Sequence, residues 1–182
     1  MTFTELPVER ANRLINHGPT VLVTSKYQEK ANIMTAAWCM PASHKPPMVA
    51  VSIGLKRFSH ELILQGKEFA INIPNSKLLK EMWCCGTKAG RTKDKFALCG
   101  LTPVVGKHIE APLIGECLGA IECRLESNSI AGDHSIMVGE VLAVWAKPGV
   151  FEERLRVEKE EAQTLHHLGG KDFCVPGKIV TI

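Results

Sequence analysis

The stretch Asn32-Ile33-Met34-Thr35-Ala36-Ala37-Trp38 sets an amide, a hydroxyl and an indole within seven residues, with two small residues between them. A strand buried in a core has no need of Asn32 or Thr35. A site for a planar heterocycle does need amide and hydroxyl partners, exposed backbone N–H groups and small side chains that let the ring approach. A hairpin edge with Asn32 and Thr35 turned to solvent and Trp38 in the core explains the same residues, so both readings stand at this level.

Two other groups could carry chemistry. Arg57 and Ser59, with Lys88, Arg91, Thr92 and Lys93 further along, place cations and hydroxyls in two loops. A phosphate ester is satisfied by that set, and a helix starting near Ser59 would add free N–H groups. Solvated surface charge is the alternative unless the two loops converge. His134 follows Gly132-Asp133, a turn signal, which lets an imidazole stand at a pocket mouth with Asp133 biasing its proton state. A turn or core histidine is the plainer account. His166-His167 lacks metal-site spacing, and the chain has no His-Glu-x-x-His, Gly-x-Ser-x-Gly or Gly-x-Gly-x-x-Gly motif.

The elements that must position these groups are mostly strands. A short helix over 8–16 leads to a β-branched strand at 20–25, which pairs as a hairpin with 31–38. A loop closed by Pro46 and Pro47 precedes a strand at 48–53. Ser59 is placed to cap a helix over 61–65 that Gly66 ends, and 69–73 is a strand stopped by Pro74. Ser76 is placed to cap a helix to about Cys85, with a polar, basic loop over 86–95. Strands at 119–127 and 135–145 flank the turn at Gly132-Asp133, and Gly139-Glu140 marks a bulge or a close backbone approach. This is no strict strand–helix alternation, so a closed or nearly closed barrel is expected, since closure removes exposed edges.

Composition narrows the class. The 182 residues suit one hydrophobic core, and 45% hydrophobic with 23% charged residues is ordinary globular usage. A net charge of +3 without a basic stripe argues against nucleic acid. No apolar run is long enough for a membrane span, and no signal peptide is evident, which makes the cytoplasm the expected location. Seven cysteines, an odd number without Cys-x-x-Cys, argue for free thiols. Cys84-Cys85 falls at the end of a short helix, where both thiols would be partly exposed.

Taken in order, Asn-Ile-Met-Thr-Ala-Ala-Trp at 32–38, Pro-Pro-Met-Val-Ala-Val-Ser-Ile-Gly at 46–54, Arg-Phe-Ser at 57–59, Phe-Ala-Ile-Asn-Ile-Pro at 69–74, Gly-Asp-His at 132–134 and Gly-Glu-Val at 139–141 resemble the flavin reductase-like family. The similarity is to its flavoredoxin-like branch and runs over roughly 8–173. It implies a mainly β, FMN-binding split barrel of Greek-key type with a few short peripheral helices. It further implies one domain over 1–182 with a charged C-terminal extension from about 147, and a homodimer with the flavin near the subunit interface. The isoalloxazine is expected against Asn32, Met34, Thr35, Ala36, Ala37 and Trp38 and the strand end Ser52, Ile53 and Gly54. The phosphate is expected on Arg57, Ser59 and Lys93, with Lys88 and Arg91 offering similar charge, and His134 is expected at the nicotinamide or flavin edge.

The activity so implied is an FMN-dependent oxidoreductase that accepts hydride from NADH or NADPH and passes electrons to free flavin, a redox protein partner or another acceptor. Such chemistry resides in the cofactor and asks the protein for positioning and hydrogen-bond donors rather than a nucleophile. An FMN-binding electron carrier reduced by a redox partner is the alternative, and a ligand-binding or structural barrel without flavin is a third.

Overall fold

The computed structural model describes residues 6–15 and 18–182. The first helix is a 3-10 turn at Val8–Arg10 followed by α1 (Ala11–Ile15), while Asn16, the expected end of that helix, lies outside the described residues. β1 (Val21–Tyr27) and β2 (Lys30–Ala36) form the expected hairpin. In place of the expected loop, β3 (Cys39–His44) pairs with β4 (Pro47–Gly54). Pro41 conceals it, because proline donates no ladder bond and is confined to edges and bulges. β3 is an edge strand whose register shifts between Pro41 and Ser43.

α2 (Phe58–Gly66) starts earlier than expected: Arg57 is the N-cap, without a side-chain cap bond, and Ser59 lies inside the first turn. The left-handed residue that ends it is Lys67, at φ 60°. Gly66 is required for another reason, since a Cβ there would lie 2.3 Å from the Lys26 carbonyl oxygen. β5 (Glu68–Ile73) follows. A 3-10 turn at Ser76–Leu78 is capped by Asn75, not Ser76, through a bond from the Lys77 N–H at 3.1 Å, and α3 (Leu79–Thr87) continues it.

The basic loop ends in a helix that was not expected, α4 (Lys95–Cys99). Asp94 caps it by accepting from the N–H groups of Phe96 and Ala97, and Gly100 closes it at φ 66°. β6 (Pro103–Val104) and β7 (Leu113–Ile114) form a small ladder. β8 (Gly119–Ala131) and β9 (His134–Ala146) make a long hairpin, and β10 (His166–Gly169) and β11 (Asp172–Cys174) a short one in the tail. The β8–β9 register shifts at Glu122/Cys123 and at Leu125/Ser127, the second directly opposite Gly139. Gly139 is a close approach: a Cβ there would lie 2.5 Å from Phe69 Cζ.

The main sheet runs β2-β1-β5-β8-β9-β4-β3, all neighbours antiparallel. Laid flat, its two edge strands would stand roughly 29 Å apart at the usual strand spacing. Yet β2 ends at Ala36 and β3 starts at Cys39, a span of at most about 11 Å. The sheet therefore curls until its edges meet without a hydrogen-bonded ladder between them, which is a mainly β split barrel. Ala37 and Trp38 form the seam.

Val21, Val23, Val51, Ile53, Phe69, Ile71, Cys123 and Met137 pack together, joined by Ile63 from α2. On the other face of the β1–β2 hairpin, Leu22 and Ile33 pack against Met82, Cys85 and Phe96 from α3 and α4. Glu122 is fully buried and accepts from the N–H groups of Lys107 and His108 and from Trp145 Nε1. Burial opposes its charge, but these donors outweigh that and hold the carboxyl below its ordinary value.

The cysteines correct the expectation of free thiols. Cys84 and Cys99 form a disulfide with Cα atoms 6.1 Å apart, tying the end of α3 to the end of α4. Cys85 is fully buried rather than partly exposed. Adjacent residues on a helix differ by about 100° in direction, so Cys84 reaches outward to α4 while Cys85 enters the core.

Candidate functional site

A cavity of about 530 Å³ opens beside the seam. Asn32, Met34, Thr35, Ala36, Ala37 and Trp38 line one side, Ser52, Gly54, Arg57 and Ser59 a second, and His134 reaches it from the β8–β9 turn. The two loops suspected from sequence do converge: Lys88, Gly90 and Arg91 complete the wall. Ile53 does not face the cavity. It is fully buried in the core, as the alternation of strand side chains requires when Ser52 and Gly54 point outward. Lys93 is not part of the lining either, whereas Lys95 is.

Asn32 is buried and donates from Nδ2 to Ser59 Oγ at 2.8 Å, which fixes β2 against the first turn of α2. Its Oδ1 is buried without a partner. Gly90 lies so close that a Cβ there would meet this oxygen at 2.0 Å. Thr35 Oγ1 donates to the Met82 carbonyl at 2.5 Å, so its proton holds α3 and only its lone pairs face elsewhere. Trp38 accepts through its carbonyl from the Ser52 N–H at 2.9 Å and is 40% exposed.

Lys95 is 5% exposed, and Nζ donates to the Ile33 and Cys85 carbonyls at 2.8 and 2.7 Å. An ammonium has three N–H bonds, and the third finds no acceptor among the described residues. Burial lowers its pKa; Cys85 acts in the opposite direction and the charge of Arg57 adds to the lowering. Arg57 and Lys88 have no carboxylate partner among the described residues, whereas Arg91 pairs with Glu61 at 2.6 Å and lies over the Phe58 ring.

His134 Nδ1 lies 2.7 Å from Asp133 Oδ1. This hydrogen bond is the main reason the Asp133 carboxyl sits below its ordinary value. An ionised carboxylate only accepts, so Nδ1 carries the proton and Nε2 is the lone-pair nitrogen of the neutral ring. The ring centroid is 4.9 Å from that of Trp38. A smaller cavity, of about 430 Å³, shares Gly54, Arg57 and His134 with the first.

The pattern of the flavin reductase like domain matches residues 13–167. The chain belongs to the flavin reductase-like family. YddH of Escherichia coli, an uncharacterized protein, is 39% identical over 98% of this chain and 97% of its own. The flavoredoxin of Methanosarcina acetivorans, at 23% identity, shares the fold with a TM-score of 0.88 over 100% of this chain and 95% of that one. An FMN-binding domain of a flavin reductases-like enzyme from Shewanella baltica is 26% identical, with a TM-score of 0.81 over 98% and 96% of the two chains.

Several wall residues of this flavin reductase-like chain were not singled out from sequence. Asn12 and Arg13 come from α1, and His167, weighed from sequence only as a metal ligand, comes from β10. Those three carry no local signal, because folding alone brings the chain ends to the seam. Lys95 had one: Asp94 and Gly100 are a helix cap and a helix stop, and Lys95-Phe96 between them begins an element with a core face. No helix among the described residues is long and apolar enough to cross a membrane, and the described residues hold no cluster of three metal-ligating side chains.

Proposed function

We propose that the cavity holds FMN and that the chain is an oxidoreductase that uses it to move electrons from NADH or NADPH to an acceptor. One observation carries the reading: Arg57 and Lys95 face the same cavity closely enough to repel, with no carboxylate partner for either among the described residues. Such a pair is stabilised by an anion, and a phosphate ester is the anion that flavin brings. The rest of the wall fits the remainder of that molecule. Asn32 Oδ1 is an orphan acceptor, Gly90 permits backbone approach, and Ala36, Ala37 and Trp38 offer a flat, small-residue surface.

When bound, FMN supplies hydride and single-electron chemistry. The chain's part is to hold and orient. Arg57, Lys88 and Lys95 hold the phosphate, with Ser59 fixed behind them by Asn32. The seam walls the ring, and backbone N–H groups around Ala37 and Trp38 serve the edge where negative charge grows. His134, its tautomer set by Asp133, presents Nε2 toward the second ring and accepts from a carboxamide N–H. The smaller cavity beside it leaves room for that ring.

The assignment of Ile53 to direct ring contact gives way to Ser52 and Gly54, and that of Lys93 to Lys95. The proposal includes a cytoplasmic homodimer, for which Met40, Ile136 and Val144 are exposed apolar side chains on β3 and β9. A second reading, an electron carrier served by a redox protein, draws on the exposure of Trp38, which brings the site's edge to the surface. The test is anaerobic mixing of FMN-loaded protein with NADH and NADPH. Bleaching of the flavin by either supports the reductase, bleaching only by a reduced redox protein supports the carrier, and failure to bind FMN removes both.

A further inference from the structure

The disulfide between Cys84 and Cys99 closes a covalent ring 15 positions around, and that ring contains the cationic wall of the cavity. Gly86, Lys88, Gly90, Arg91 and Lys95 all lie between the bonded cysteines and line the cavity. Across the neck of the loop run the disulfide and the hydrogen bond from Lys95 Nζ to the Cys85 carbonyl at 2.7 Å. Between the two ends, side-chain anchoring comes from the exposed pair Arg91–Glu61 and from Gly90 packed on the Asn32 amide. Removing the covalent link would leave the neck held only on its core side, by the Lys95 hydrogen bonds and the packing of Cys85 and Phe96. A wall with more conformations to lose binds its ligand less tightly.

Access favours exchange at this bond over the three buried cysteines. Cys84 and Cys99 are each half-exposed, at the ends of their helices. Cys85, Cys117 and Cys123 are buried, and burial pushes their thiols up to about 11, 12 and 12. They are poor thiolates near neutral pH and poor rivals in exchange.

We propose that Cys84–Cys99 is a thiol–disulfide switch that controls how tightly the cationic wall holds its anionic ligand. The reductant is a dithiol. One of its thiolates attacks a cysteine sulfur, breaks the S–S bond and releases the other cysteine, giving a mixed disulfide. The second thiol of the reductant then displaces the remaining cysteine. The dithiol leaves as a disulfide, having lost two electrons, and Cys84 and Cys99 end as two thiols that have gained two electrons and two protons. The same exchange run in reverse, in which the dithiol's disulfide form takes back the two electrons and two protons, closes the ring again.

The proposal rests on FMN as the ligand, and its test separates the two ideas. The full-length protein is titrated with FMN, following quenching of flavin fluorescence, with and without dithiothreitol. Reduction is expected to raise the Kd about tenfold, a part of the effect expected from opening a 15-residue ring. The Cys84→Ser/Cys99→Ser double variant is expected to show the weaker Kd without reductant and no response to it. An equal Kd in all states overturns the switch and leaves FMN binding standing.

Two readouts need no flavin. Alkylation of the denatured, unreduced protein is expected to label five thiols and to label seven after reduction. Seven thiols before reduction overturn the proposal. Tryptic cleavage after Lys88 and Arg91 is expected to speed up on reduction, and an unchanged rate also overturns it. If FMN fails to bind in every state, the cofactor reading falls, and the cleavage rate alone decides whether the loop is switched.

Discussion

The rings of Trp38 and His134 face each other with centroids 4.9 Å apart and planes tilted by 37°. One ring comes from the seam between β2 and β3, the other from the turn between β8 and β9. Gly54 lies between the imidazole and Arg57, since a Cβ there would lie 3.7 Å from His134 Nε2 and 3.5 Å from Arg57 Cγ. The imidazole thus stands at the mouth of the cavity with its proton held on the Asp133 side.

The His134→Ala variant is expected to reduce FMN with nicotinamide at least about tenfold more slowly, the scale of losing one oriented hydrogen bond, while its FMN Kd changes less than threefold. Anaerobic rapid mixing measures the first and fluorescence titration the second. A reduction rate equal to that of the parent would remove His134 from nicotinamide placement.

Arg57→Ala is expected to weaken FMN binding by about 2 kcal/mol, the scale of a charge-assisted hydrogen bond. Riboflavin, which lacks the phosphate, should bind the variant and the parent alike. Equal loss for both ligands would place Arg57 against the ring and not the phosphate.

Lys95→Met keeps the length of the side chain but leaves the Ile33 and Cys85 carbonyls without their donor. Because the ammonium is buried, a loss of about 2 to 3 kcal/mol in unfolding stability is expected, together with weaker FMN binding. The corresponding Lys93→Met change should leave both within experimental error, since Lys93 is exposed and outside the lining. Denaturant titration of the two variants side by side checks the contrast.

Gly90→Ala puts a methyl group where Asn32 Oδ1 already sits. The loop must shift away from β2, and FMN binding should fall at least about tenfold with a loss of stability below that of a core truncation. Wild-type affinity in this variant would show that the loop's close approach is not needed.

Glu122 links pH to stability. Its folded pKa lies below the ordinary value of 4.5, so the unfolded chain takes up this proton first as pH falls. The contribution is complete above the unfolded value and is lost as pH drops through the folded one. Urea midpoints between pH 7 and 3 should fall faster for the parent than for Glu122→Gln, which starts about 1 to 3 kcal/mol less stable because its amide meets backbone donors with one oxygen fewer. Parallel curves would remove Glu122 as the source of that slope.

Much of the architecture was legible from local pattern. The β1–β2 hairpin, β4, β5 and the long β8–β9 pair each announce themselves by β-branched runs between turn residues, and Gly132 at φ 62° sits at the turn read there. β3 was not legible, because its Pro41 is tolerated only where an edge strand leaves an N–H unused, and edge position is a property of the whole sheet. The disulfide was hidden for a similar reason. Cys84 and Cys99 belong to separate helices, and no spacing rule pairs them until α3 and α4 dock on the β1–β2 hairpin.

By itself, the sequence determined which side chains are chemically suited to the site: the amide, hydroxyl and small residues of 32–38, the cations of two loops, and the histidine after Gly132-Asp133. These follow from residue type and local turn chemistry, which need no partner across the chain. Only the tertiary structure decided that the two loops meet, that Lys95 and not Lys93 faces the cavity, and that Ile53 turns inward between Ser52 and Gly54. The deciding event is the curling of the sheet at Ala37 and Trp38. That closure sets direction and distance between residues far apart in sequence, and no local preference encodes either.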